Sequence, residues 1–153
     1  MTYISTKRYD NLPCCHRQPK HQGHCAYIHG YSREFTFQFA ARELNENHFV
    51  MDFGELKDLK EWLDYMFDHT LLINEDDPER ELFEEMHSKG LCDLRIMPNV
   101  SMEATAKYVF QYVDKLVKDK TKKRCWCVQV ECRENSKNSA IYQAENLNTL
   151  KPI

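Results

Sequence analysis

Residues 14–31, "CCHRQPKHQGHCAYIHGY", hold four of the chain's seven histidines and three of its seven cysteines. Imidazole nitrogens and thiolates are the usual zinc donors, and a catalytic site keeps one position open for water or substrate. His16 and His29 lie thirteen residues apart and flank a loop. If His29 opens the strand that continues into "REFTF", both rings converge at one sheet end, with Cys25 near the metal between them. Taken singly, each histidine reads as readily as a solvent-exposed loop imidazole. Cys14 and Cys15 are ligands by type, but neighbours on an extended chain point to opposite faces. They read as small core thiols, with Cys92, Cys125, Cys127 and Cys132.

Three further groups bear on chemistry. Asp68 and His69 form an adjacent acid–imidazole pair where a helix should end. Such a pair can tune a proton-transfer group, or simply set an imidazole at a helix C-terminus. Glu103 falls in the first turn of a helix capped by Ser101, where a carboxylate suits the helix dipole. Glu131 stands on a strand with no evident partner; a heterocycle with adjacent N–H donors would meet it bidentately.

The elements that must position these groups follow from pattern. "REFTFQFAA" alternates, with Phe35, Phe37 and Phe39 on one face of a half-buried strand. "NEN" at 45–47 signals a turn, and "HFVMDF" resumes an extended stretch. Asp52 and Glu55 have capping-box spacing, and Leu56, Leu59, Leu63, Met66 and Phe67 form a helical stripe ending near Asp68. A second long helix starts at Ser101, with Met102, Ala106, Val109, Val113, Leu116 and Val117 buried. A short third helix ends around Gly90. "RCWCVQVECRENSKNSAIYQAE" reads as a hairpin in which Cys125, Cys127, Gln129 and Glu131 share one face. Strand, strand, helices, strand, strand gives an α+β fold, its antiparallel four-stranded sheet interrupted by two long helices between strands 2 and 3. No βαβ alternation and no glycine-rich phosphate loop is read.

Composition sets bounds. The 153 residues fit one domain, 1–153, able to bury a core without staples. A net charge of −3, with "KDKTKKR" as the one basic block, disfavours nucleic acid. No run has transmembrane length and no export signal is read, so a cytoplasmic protein with reduced thiols is expected.

Six motifs in order resemble the 6-pyruvoyl tetrahydropterin synthase / 6-carboxytetrahydropterin synthase family: "CCHRQ", "CAYIHGY", "VMDFGELK", "FDHTLLIN", "PNVSMEATA" and "VQVECRENSKNSAIY". The likeness runs over roughly residues 7–142. It implies the T-fold, zinc on His16 and His29, Cys25 as general base, and Asp68 with His69 as proton relay. Glu131, helped by Glu103, would hold a pterin. It also implies a homohexamer of two trimers with active sites between subunits. The spacing of Cys25 from His29 resembles the queuosine-route enzymes, which convert 7,8-dihydroneopterin triphosphate into 6-carboxy-5,6,7,8-tetrahydropterin, acetaldehyde and triphosphate. A pyruvoyl-forming relative and a non-catalytic pterin binder are the alternatives. Arg17 and Lys20 are phosphate candidates by proximity in sequence alone.

One position departs from the pattern. The third zinc histidine of the family falls on Tyr31, and a phenol must shed its proton to serve as an anionic ligand. Tyr31 ligates as phenolate, His21 or His24 substitutes, or the metal rests on two histidines. Retention of Cys25, Asp68, His69 and Glu131 favours a retained metal.

Overall fold

The computed structural model, which describes residues 1–145, places six strands in one sheet of order β4-β3-β1-β2-β5-β6. In chain order these are β1 (Tyr3–His16), β2 (His29–Ala41), β3 (Thr70–Asn74), β4 (Leu94–Met97), β5 (Cys125–Arg133) and β6 (Ser139–Gln143). Helices α1 (Lys57–Phe67), α2 (Arg80–Ser88) and α3 (Met102–Lys120) complete the set. Pairing is antiparallel from β1 through β6, as expected, but β1–β3 and β3–β4 are parallel. The sheet is therefore mixed and six-stranded, not antiparallel and four-stranded.

The two additional strands lie between the long helices. β3, α2 and β4 form a small βαβ unit, contrary to the expectation that none is present. All five residues of "TLLIN" are buried. Leu72 joins the main core, while Leu71 and Ile73 face a second cluster around Phe83 of α2. A strand covered on both faces has no reason to alternate, which is why its sequence does not announce it. "HFVMDF" forms bends leading into a 3-10 turn at Phe53–Leu56 rather than a strand, although Val50 and Met51 are buried.

The helical stripes hold. Leu56, Leu59, Leu63, Met66 and Phe67 are buried, as are Met102, Ala106, Val109, Val113 and Val117, whereas Leu116 is only partly buried against the same core. Both helices cover the face of the sheet that presents Phe35, Phe37 and Phe39, each fully buried. The Ser101 hydroxyl accepts from the Ala104 amide at 3.0 Å, closing the cap of α3. Gly90, at φ 75°, takes the left-handed position just past α2.

Two irregularities decide which side chains face the helices. Between Tyr9↔Phe35 and Leu12↔Arg33, β1 carries one residue more than β2, with Asn11 at φ 59°. Inward positions thus change from Ser5, Lys7 and Tyr9 to Leu12, Cys14 and His16. Val128 is likewise extra in β5, between Gln38↔Gln129 and Phe39↔Cys127. A bulge inverts the alternation beyond it. Cys125 and Cys127 consequently share their face with Val130 and Cys132, while Gln129 and Glu131 turn to the other, which corrects the expected grouping.

Candidate functional site

β1 ends on His16 and β2 begins on His29, and the two are direct cross-strand partners. The Asn11 bulge puts His16 on the side that His29 and Arg33 occupy. The rings stand 4.6 Å apart at 52°. Glu134 follows β5 directly; one step beyond Glu34↔Arg133, it continues the inward series of Val130 and Cys132 and comes level with Arg33. Its Oε1 lies 3.6 Å from Nε2 of His16 and 3.6 Å from Nε2 of His29. Among the described residues these three form the cluster whose donor atoms fit around one metal ion. Ligands held at about 2.1 Å from a tetrahedral zinc stand roughly 3.4 Å apart, and two imidazoles with a carboxylate is an established donor set. The residues present fit a metal.

The hydrogen bonds behind the two rings differ. His29 Nδ1 lies 2.6 Å from the Tyr27 carbonyl oxygen, so it donates there and leaves Nε2 free. His16 Nδ1 lies 3.1 Å from Nη2 of Arg33, a side chain only 2% exposed. Burial, the Arg33 cation and His29 hold the His16 pKa down to about 3, so this imidazole is neutral at ordinary pH. Sequence reasoning found neither: Glu134 faces the site because the extra residue at Val128 shifts the alternation of β5, whereas Arg33 lies on the Phe35 face of β2 by plain alternation and was not singled out.

The other expected residues are distributed as follows. Cys25 is exposed on a 3-10 turn, His24–Ala26, tied down by the Gln18 amide donating to the Cys25 carbonyl at 2.7 Å. Arg17 is not free to hold phosphate: its guanidinium grips Asp77 through two bonds of 2.8 and 2.9 Å and reaches the Ala26 carbonyl. Lys20 is an exposed partner of Asp76. Asp68 and His69 are paired at 2.6 Å, with His69 at φ 59° and largely exposed. The pair precedes β3, three positions before Leu72, which is the partner of His16, or about 10 Å along the strand. The chain therefore does not bring the pair against the imidazoles.

Glu131 turns to the opposite sheet face, 3.5 Å from Arg133, and away from the histidines. Glu103 is exposed at the start of α3, beside Met102, whose sulfur touches Cys132 at 3.6 Å. Burial raises the Cys132 pKa to about 12, with Arg33 acting against it and Cys14, Glu134 and Glu103 adding to it. Tyr31 is half exposed, with its ring centre 6.4 Å from that of His29. His21 accepts from the Gly23 amide within its own turn, and His24 stacks at 6.1 Å on Tyr27.

The sequence model of the family described as 6-pyruvoyl tetrahydropterin synthase matches residues 4–145. A 6-carboxy-5,6,7,8-tetrahydropterin synthase of Rickettsia conorii is 40% identical over 65 residues, 42% of this chain and 47% of that protein. Its counterpart from Rickettsia bellii is 42% identical over the same length and shares. The chain spans about half the length of these curated relatives. Among solved structures, an uncharacterized protein from Wolinella succinogenes superposes with a TM-score of 0.81 at 19% identity, covering 95% of this chain and 99% of that one. The 6-pyruvoyl tetrahydropterin synthase of Caenorhabditis elegans gives 0.65 at 16% identity, covering 95% and 97%. These likenesses show a shared fold. Among the described residues, no helix is long and apolar enough to cross a membrane.

Proposed function

Because the chain belongs to the 6-pyruvoyl tetrahydropterin synthase family, we propose that it is a zinc-dependent 6-carboxytetrahydropterin synthase. It would act on 7,8-dihydroneopterin triphosphate and release 6-carboxy-5,6,7,8-tetrahydropterin, acetaldehyde and triphosphate. The observation that carries this reading is the convergence of His16, His29 and Glu134 on one point beside an exposed cysteine loop. The names of the Rickettsia relatives favour the carboxy product.

His16 and His29 would hold the metal, which when bound supplies a Lewis acid for the side-chain oxygens of the substrate. Cys25 would take a proton from a side-chain carbon. His69, its Nδ1 fixed by Asp68, would exchange one at Nε2 from the opposing side. Since the chain leaves Asp68 and His69 exposed, their approach to Cys25 would be made where subunits meet, in a cytoplasmic homohexamer. Glu103 would assist with the ring.

Two roles are open to Glu134, and each has an observation behind it. Its equal distance from both Nε2 atoms suits a third metal donor in place of Tyr31. Its place on the histidine side, where Glu131 is turned away, suits the carboxylate that pairs with the ring's guanidine-like edge. Glu134→Gln separates them: zinc content falls in the first case, whereas in the second zinc is retained and pterin binding is lost.

The deciding experiment supplies 7,8-dihydroneopterin triphosphate to zinc-loaded protein and identifies products by mass. 6-Carboxytetrahydropterin is expected. A pyruvoyl product would change the reaction, and unaltered substrate with folded, zinc-bearing protein would leave a pterin binder.

A further inference from the structure

The two histidines of the site face opposite chemical demands at Nδ1. An imidazole that ligates through Nε2 normally donates its other N–H to a carbonyl or carboxylate, which keeps the Nε2 lone pair free and raises its basicity. His29 has that arrangement with the Tyr27 carbonyl at 2.6 Å. His16 has the reverse. Its Nδ1 partner is a guanidinium, which has donors only and does not lose its charge. Nδ1 of His16 must therefore be the acceptor, and in a neutral ring the proton sits on Nε2, on the side of Glu134.

Arg33 has little freedom to yield. It is 2% exposed, its guanidinium carbon lies 5.9 Å from the centre of the Phe67 ring, and its Nη1 is buried with no hydrogen-bond partner among the described residues. No carboxylate among them pairs with it. A metal taken by His16 Nε2 needs that proton moved to Nδ1 or lost. Moving it sets N–H against N–H and strips Arg33 of its one bond to the site. A divalent cation also meets the fixed positive charge directly behind its ligand.

Resting on the metal reading above, we propose that Arg33 sets the metal affinity of the His16–His29–Glu134 cluster and holds it low, making the metal exchangeable rather than permanently bound. Removing outer-shell partners that help a ligand typically weakens binding ten- to a hundredfold; removing one that opposes it should strengthen binding by a similar factor. Arg33 is a positioning residue, since it reaches the metal through His16.

The test is zinc titration of the metal-free full chain against a chromophoric chelator, with wild type, Arg33→Met and Arg33→Gln compared. Met removes the donor and the charge; Gln can turn its amide oxygen towards an Nδ1–H. Both variants are expected to bind zinc roughly 10- to 100-fold more tightly. Wild type that binds as tightly as folded variants overturns the role of Arg33 and leaves the metal site intact. Failure of every form to bind zinc sinks the metal site as well. Should neither variant fold, long-range nitrogen–proton correlation of the histidine rings in metal-free wild type decides. His16 is expected as the Nε2–H tautomer and His29 as Nδ1–H, and finding Nδ1–H in both overturns the proposal.

Discussion

Gly30 runs so close to Cys14 that a β-carbon on it would sit 2.0 Å from the Cys14 carbonyl oxygen and 2.7 Å from the Cys15 α-carbon. Those obstacles are backbone, in the strand whose last residue is His16. The close approach lies one residue from the His16↔His29 pair and holds the two imidazoles at one sheet end. Gly30→Ala must force the strands apart, a worse overpacking than an added core methylene. It is expected to lower stability by at least about 3 kcal/mol in urea unfolding, and to abolish zinc binding in whatever fraction folds.

Cys25 tests the chemistry apart from the fold. Its side chain is exposed, so Cys25→Ala should leave the urea midpoint unmoved and zinc stoichiometry unchanged. Turnover of the pterin triphosphate should fall by about 10² to 10⁴, the range of a lost proton-transfer group. A variant that keeps wild-type turnover removes Cys25 from the mechanism.

Asp77 joins the βαβ insertion to the cysteine loop. Burial pushes its carboxyl up, but the bonds from Arg17 and from the Glu79 amide outweigh it, and the pKa lies below its ordinary 3.8. A depressed acid contributes stability that is full above the unfolded value and is lost as pH falls through the folded one. Stability should thus drop as pH falls from about 4 downward. Asp77→Asn should cost about 3 kcal/mol at neutral pH, because Arg17 is left without its partner. The same variant should flatten the acid limb of the stability curve; an acid limb of unchanged steepness would show that other carboxyls govern it.

Asn11 sits at φ 59°, where a β-branched residue is strained and glycine is not. Asn11→Val is expected to lose about 1–2 kcal/mol and to weaken zinc binding as the bulge resists. Asn11→Gly should be close to neutral in both thermal unfolding and metal titration.

The helices were legible because their chemistry is local: a cap, a stripe and a stop lie within one stretch of chain. Ser101, the Leu56–Phe67 stripe and Gly90 all behave as their spacing implies. His16 and His29 were legible as a pair because a single loop joins them. Glu134 was not, since alternation counted through "CWCVQVEC" takes no account of the extra residue at Val128, and nothing in that run marks it. Arg33 lay on the legible Phe35 face of β2, but a buried arginine there contradicts the apolar pattern that identifies such a face. "TLLIN" was missed for a related reason: a strand packed on both faces shows neither of the two periods that identify elements. The Asn11 irregularity was open to reading, because "DN" inside an alternating stretch is a turn pair out of place.

The donors of the candidate centre come from very different distances along the chain. His16 and His29 meet as soon as one hairpin zips, but Glu134 arrives about a hundred residues later, after β5 has docked on β2. Contacts of such long sequence separation form late in folding. The complete cluster is therefore expected among the last features to assemble. An ion captured there stabilises interactions absent from the folding transition state, so it slows unfolding and leaves the refolding rate nearly unchanged. In this architecture a bound metal would act as a brake on the exit from the native state and would play no part in reaching it.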